Sequence, residues 1–457
     1  MVDLADLRPR IVEILADYRC PGAAIGVLHE GRATELVLGV QDVTTGRPVT
    51  SETMFQCGSL TKSWTAVAFL QLVDEGAVGL DEPVRHYLPR FRVADAGVSA
   101  ALTPRHLLNH THGIEESYGD PGEGEDVYER MVEALADAPQ VSPLGHTHGY
   151  SPAAGYAILA RIMEVVDDRA WDAVMADRLV SRMGLRSTST WWRDADPRRA
   201  ARGHLVRSPE EGPIPTPVDH LPRAFGAGGG MSSTAGDVLA LAHVLLSGGV
   251  APHGRRVLSS GMVTEMTASR VPIPDPYLVG QQWGLGLVVL DWDGCTVYGH
   301  DGSTIGQNAR LRIVPDHDLA MVLLTNGDAR ESLCTRVFDV ILRELGAVTI
   351  PPLPEPDLAL DLDPSRYVGV YERPGARFEV TADGGRLRLG VDVDPFQAEI
   401  MGLPRHIAHD LLPIDDQHFL VTPSTPMAEM QTAALYEFHD GRARYLHIDA
   451  RLHPRRR

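Results

Sequence analysis

The sequence predicts an α+β protein in two parts, a larger mixed region followed by a small antiparallel β-barrel. Three observations predict it. Strand patterns lie near both ends of the first 350 residues, with helices and long Gly/Pro-rich loops between them. Pro351-Pro352-Leu353-Pro354-Glu355-Pro356 then forms a stiff acidic linker. Beyond it come only short strand patterns separated by turn signals. A length of 457 residues with 44% hydrophobic content suits two domains, expected at 1–350 and 365–457 with a linker at 351–364.

The elements follow in order. Residues 1–15 pattern as an acidic amphipathic helix, with no basic start and no apolar stretch of the kind an export signal needs. No run approaches the roughly 18–20 apolar residues of a membrane span, so a cytoplasmic location is expected. Residues 23–43 read as a β-hairpin turning at His29-Glu30-Gly31-Arg32. Residues 59–75 read as a helix with Trp64, Val67, Phe69, Leu70 and Val73 as apolar positions, stopped by Gly76. Ser59 opens that helix, where backbone N–H groups lack partners and negative charge is favoured. At 226–237 a glycine-rich loop enters a helix through a Thr234/Asp237 capping pattern. It lacks Gly-Lys-Ser/Thr, which argues against a phosphate loop. Strands are expected at 296–299, 308–314 and 319–324, and a helix at 329–345. In the barrel, strands are expected at 367–371, 377–381, 387–391, 418–421, 435–439 and 445–447.

A formal net charge of −19 disfavours nucleic acid and anionic membrane as partners. The four cysteines, Cys20, Cys57, Cys295 and Cys334, have no framework spacing and read as reduced thiols, Cys57 as a small buried packing residue.

The chemistry points to one place. Among 42 basic side chains a single lysine occurs, Lys62, in Gly58-Ser59-Leu60-Thr61-Lys62. Arginine does not release its proton in a protein, whereas a buried lysine can become neutral and act as a base. Ser-x-x-Lys on a helix puts both side chains on one face, where the amine can take the hydroxyl proton and create a nucleophile. The plain alternative is one surviving surface lysine in an arginine-biased chain. Tyr150, in His148-Gly149-Tyr150-Ser151-Pro152, can serve as a second base beside a cationic lysine, or be an ordinary half-buried tyrosine. Gly299-His300-Asp301-Gly302-Ser303 ends an apolar strand, and a glycine-flanked edge leaves backbone donors free for a ligand. The Ser303 N–H can join the Ser59 N–H as an oxyanion hole. His300 can hold a substrate carboxylate or support the Tyr150 proton. The alternative is a turn with a surface histidine. The 107–114 segment, ending in His110-Thr111-His112-Gly113, reads as an architectural helix end.

Ser59-Leu60-Thr61-Lys62, Tyr150 and His300-Asp301-Gly302, in that order, resemble the serine β-lactamase and penicillin-binding-protein superfamily. The likeness is greatest to its class C β-lactamase-like esterases, D-peptidases and transacylases. Pro21-Gly22-Ala23-Ala24-Ile25-Gly26-Val27, the stretch from Leu102 to Thr111, Trp283-Gly284-Leu285-Gly286 and Gly302-Ser303-Thr304-Ile305-Gly306 agree, so the likeness spans about 5–347. The resemblance implies a β-lactamase/transpeptidase-like fold: an antiparallel sheet flanked by the first and last helices, an all-helical lobe, and an active site between them. It implies Ser59 as the acylated residue, Lys62 and Tyr150 as proton carriers, and His300, Asp301, Gly302 and Ser303 along the substrate. His300 stands where lysine is commoner in the family. The resemblance also implies a lipocalin-like barrel for 365–457. Three departures stand out. Pro152 occupies the place of an asparagine that helps bind amides and orient the lysine, which counts against β-lactam hydrolysis. One extra residue precedes Gly155-Tyr156. His112 replaces a serine.

The expected function is a serine hydrolase or acyltransferase acting through a Ser59 acyl-enzyme on an ester, thioester or amide of a small peptide-like metabolite. No metal or organic cofactor is called for. One alternative is a penicillin-binding-protein-type thioesterase that cyclises a nonribosomal peptide. Others are a metallohydrolase using the His-Thr-His pairs at 110–112 and 146–148, or a binding protein that has lost turnover. Lack of an export signal argues against peptidoglycan and against a drug-resistance role. Arg444 and Arg451 of the barrel are candidates to contact a substrate carboxylate. The oligomeric state is left open.

Overall fold

A computed structural model describes residues 4–115, 121–206, 211–327, 331–393, 395, 398, 404–424 and 428–456. The chain begins with α1 (Leu4–Asp17) and the hairpin of β1 (Gly22–His29) and β2 (Arg32–Asp42). Glu30 and Gly31 turn it with φ of 50° and 72°, the left-handed pair a tight two-residue hairpin needs. After the helical lobe the chain returns as β3 (Val288–Trp292), β4 (Cys295–Thr304), β5 (Gln307–Val314) and β6 (Leu319–Thr325). These strands complete a nine-stranded sheet in which β6 lies beside β1, so the two ends of the first region meet within it. The strand run closes with α2 (Glu331–Leu345).

The sheet separates two cores. One face packs on α1 and α2 through Ile11, Ile25, Met321, Val337 and Ile341. The other packs on the helical lobe, whose central helix α3 (Thr61–Asp74) is buried on nearly every side from Thr61 to Leu72. A helix apolar all round belongs inside a lobe, which explains why its sequence lacks a polar stripe. Ser59 sits in a one-turn 3₁₀ segment, Gly58–Leu60, that runs directly into α3. The α-helix thus starts two residues after the expected serine. The helix α4 (Ala235–Leu246) is capped as expected, the Thr234 hydroxyl accepting from the Asp237 N–H.

The C-terminal region is one antiparallel sheet of eight strands in sequence order: β7 (Gly369–Arg373), β8 (Ala376–Asp383), β9 (Arg386–Asp392), β10 (His406–Pro413), β11 (His418–Val421), β12 (Gln431–His439), β13 (Arg442–Ile448) and β14 (Arg451–Pro454). A bridge from Tyr371 to Arg455 brings the two edges together into a nearly closed barrel. Strands β10 and β14 were not expected from the sequence. Among the described residues, no helix is long and apolar enough to cross a membrane.

Candidate active site

The Ser59 turn and the edge strand β4 touch because two glycines let them. Strand β4 pairs with β3 only as far as Gly299, so beyond that point one of its edges has no strand partner. The Ser59 turn fills that edge. A Cβ on Gly302 would lie 1.8 Å from the Cys57 carbonyl oxygen, and one on Gly58 would lie 2.4 Å from the Ser303 nitrogen. Gly58 also has a φ of 50°, which L side chains rarely adopt. These approaches bring the Ser303 backbone alongside the Ser59 turn. The Ser303 hydroxyl is directed away, donating to Asn308 Oδ1 at 2.7 Å.

Lys62 is fully buried. Its Nζ donates to the carbonyls of Pro152 and Gly228, each at 2.7 Å, and lies 3.4 Å from Ser59 Oγ. The proline that replaces the family asparagine therefore still supplies an oxygen for the lysine, from the backbone. Gly228 must be glycine for this arrangement, since a Cβ there would lie 2.4 Å from the Pro152 oxygen and 3.3 Å from Nζ. Nζ also stands 4.9 Å from the centre of the Tyr150 ring. That ring packs on His110 and Trp283, with His300 at 6.4 Å between centroids.

His300 is buried, and its Nδ1 is 2.6 Å from the Asp301 carbonyl. A carbonyl only accepts, so Nδ1 carries the proton and Nε2 presents a lone pair. Nε2 has no hydrogen-bond partner among the described residues. Burial, reinforced by Lys62, pushes this imidazole down to about 3, so it is neutral at working pH. The Asp301 side chain lies on the other face of β4, bound to Arg312 at 2.5 and 3.0 Å. Burial alone would raise its carboxyl, but the Arg312 and Arg310 guanidiniums more than offset this and hold it at about 2.

A cleft of about 820 Å³ opens over these groups, lined by Ser59, Tyr150, Trp283, His300 and Ser303. Its opposite wall is the barrel, through Ile407, His409, Val421, Thr422 and the β13–β14 turn at Asp449 and Ala450. That turn is tied to the loop that carries Tyr150, whose N–H donates to the Ala450 carbonyl at 2.9 Å.

Arg444 and Arg451 require a correction. Arg444 donates to Glu437 on the barrel surface at 2.9 Å. Arg451 donates to the buried Glu115 at 2.9 Å, where Arg373 joins it. Neither lines the cleft, because each is drawn to a carboxylate elsewhere. The His-Thr-His pairs are also packing elements. His110 Nδ1 accepts from the Ser151 N–H and His112 Nδ1 from the Ile114 N–H, while His146 meets Glu437. Among the described residues no group of three or more His, Cys, Asp or Glu is arranged to hold a metal ion. Sequence reading missed Gly228 and Asp449. The first acts through a backbone oxygen, which no side-chain pattern announces, and the second is brought in by the barrel.

The Beta-lactamase family model matches residues 7–340, and the chain belongs to that family. Penicillin-binding protein 4 of Amycolatopsis lactamdurans is 39% identical over 377 residues, covering 82% of this chain and 98% of that protein. Esterase EstB of Burkholderia gladioli is 28% identical over 359 residues, covering 65% of this chain and 87% of its own. The crystal structure of SurE superposes with a TM-score of 0.81 at 29% identity, covering 99% of this chain and 98% of that one. SurE has also been solved with D-Leu. The protein is thus an enzyme, a serine hydrolase of the β-lactamase and penicillin-binding-protein type.

Proposed function

We propose that the protein forms an acyl-enzyme on Ser59 from an ester, thioester or amide of a small peptide-like metabolite. The observation that carries this reading is the setting of Lys62. A neutral amine has two N–H groups and one lone pair. Two carbonyls at 2.7 Å hold the amine within 3.4 Å of Ser59 Oγ, so a neutral Lys62 can offer its lone pair to the hydroxyl. Lys62 takes the hydroxyl proton as Oγ attacks the substrate carbonyl. The N–H groups of Ser59 and Ser303 stabilise the oxyanion. Tyr150, with the neutral His300 beside it, passes the proton to the leaving group and then activates the acceptor. The apolar cleft walls suit a hydrophobic peptide-like acyl group, and the names of the esterase and penicillin-binding relatives and the D-Leu complex of SurE favour acyl chemistry on D-configured substrates. Transfer to an amine rather than water is a second reading, favoured by the barrel roof of Ile407, Val421 and Pro423, which limits water above the acyl group.

The test is intact-protein mass after incubation with a penicillin, a p-nitrophenyl ester and a D-configured peptide thioester. At least one reagent should leave an adduct on the wild type and none on Ser59→Ala, whose turnover should fall by about 10⁴-fold or more. An adduct that persists in Ser59→Ala would overturn the assignment.

A further inference from the structure

The barrel contributes a charged group to the cleft that the acyl-transfer chemistry does not use. We propose that Asp449, at the tip of the β13–β14 hairpin, is a recognition site for a substrate ammonium group, so that the enzyme favours substrates with a free amine near the scissile carbonyl.

Three observations carry this. The first is position. Asp449 and Ala450 line the same cleft as Ser59, and the Ala450 carbonyl is held by the N–H of Tyr150. A Cβ on Gly149 would lie 3.0 Å from Leu452 Cβ, so the hairpin is pressed directly onto the catalytic loop. The second is conformation. Asp449 and Ala450 have φ of 52° and 60°, and alanine rarely adopts such a geometry. The tip is held in this shape by its contacts, which sets the direction in which the Asp449 side chain leaves the backbone.

The third is charge. Among the described residues, those with full charge at the cleft are Asp301, Glu331, Glu429 and Asp449, against Arg310. Asp301 is bound by Arg312, Glu331 lies 3.4 Å from Arg310, and Glu429 contacts Ser332. Asp449 alone among these carboxylates makes no hydrogen bond and no ion pair among the described residues. It is reached by solvent from the cleft, yet protein surrounds it closely enough that desolvation raises its carboxyl. Arg373, Arg451 and His409 act on it only at longer range, the two arginines being engaged at Glu115. A carboxylate at the cleft without a close partner favours a cation that can donate several hydrogen bonds at once. A primary ammonium has that chemistry.

Asparagine suits the left-handed turn position at least as well as aspartate, so Asp449→Asn removes the charge and keeps the hairpin. The experiment compares leucine p-nitroanilide with its N-acetyl derivative, each enantiomer, on wild type, Asp449→Asn and Asp449→Glu. The ratio of kcat/KM for free over acetylated amine should exceed ten in the wild type. It should fall at least tenfold in Asp449→Asn, mainly through KM, and be partly kept in Asp449→Glu. A purely structural role would change both substrates alike and leave the ratio where it was, which overturns the proposal. So does a wild type indifferent to acetylation. The kinetic arm rests on the Ser59 reading, so calorimetric titration with 2-phenylethylamine runs beside it. If nothing turns over or labels Ser59 but amine binding weakens at least fivefold in Asp449→Asn, the acyl-enzyme reading falls and the ammonium site stands. If amine binding is the same in both, the ammonium site falls.

Discussion

Strand β4 separates two buried basic side chains that the protein treats in opposite ways. On the helical-lobe side Lys62 is fully buried, donates to two backbone carbonyls and lies 3.4 Å from the Ser59 hydroxyl. On the α2 side Arg312 is 4% exposed and is clamped by the carboxylate of Asp301, with Glu331 at 4.0 Å. Carboxylates keep a cation charged. Carbonyl dipoles hold an amine in place without committing it to charge, and a group that must accept a proton needs that freedom. The same strand therefore has a fixed ion pair on one face and a lysine held by backbone carbonyls on the other.

The comparison breaks most visibly at Lys62. Lys62→Arg keeps a cation but loses a releasable proton, so acylation of Ser59 should slow by about 10³-fold or more. A Lys62→Arg variant that labels within about tenfold of the wild-type rate would show that charge, not basicity, is what matters there. On the other face the loss should appear in stability. Arg312→Met leaves the part-buried Asp301 with only Arg310, at 3.7 Å, and should cost about 2–3 kcal/mol in urea unfolding, while adding Asp301→Asn should recover much of it. Equal instability of the single and double variants would mean the guanidinium acts by packing alone.

Acid sharpens the contrast, because it forces charge into the side built without a fixed ion pair. Burial pushes His112, His300 and His447 each down to about 3 from 6.5. The unfolded chain binds these protons near pH 6.5 and the folded chain only near 3. Their contribution is therefore complete above 6.5 and is lost as pH falls towards 3, at about 1.4 kcal/mol per pH unit for each histidine. Urea midpoints at pH 7.5 and 5.5 should show the loss, and His447→Phe should reduce it by about one histidine's share. The smallest effect is expected at Pro152. Pro152→Ala keeps the carbonyl that holds Lys62, so activity should stay within about threefold. A loss of a hundredfold or more, on the order of 3 kcal/mol, would mean the ring itself sets the loop.

How much of this was legible in the sequence depends on the reach of each interaction. The Ser59 turn, the hairpin at Glu30-Gly31 and the Thr234 cap are local, and their residues announce them. So are the strands flanking His300. Strand β10 begins His406-Ile407-Ala408-His409 and lacks a clean alternation, and β14 is only four residues long, so neither gave a signal. The sequence placed Tyr150 as a candidate but could not show that Ala450, three hundred residues later, holds its backbone. Nothing local marks what Arg444 and Arg451 contact, and only the fold reveals Glu437 and Glu115 beside them.

The solitary lysine has a practical consequence. A protease that cuts only after lysine has a single target in this chain, and that target lies in the first turn of a buried helix. Its one cut, yielding two fragments, would time the opening of the helical lobe without interference from surface nicks. Amine-reactive dyes would likewise mark folded molecules only at the chain terminus, leaving side-chain labelling as a direct count of the molecules that have opened.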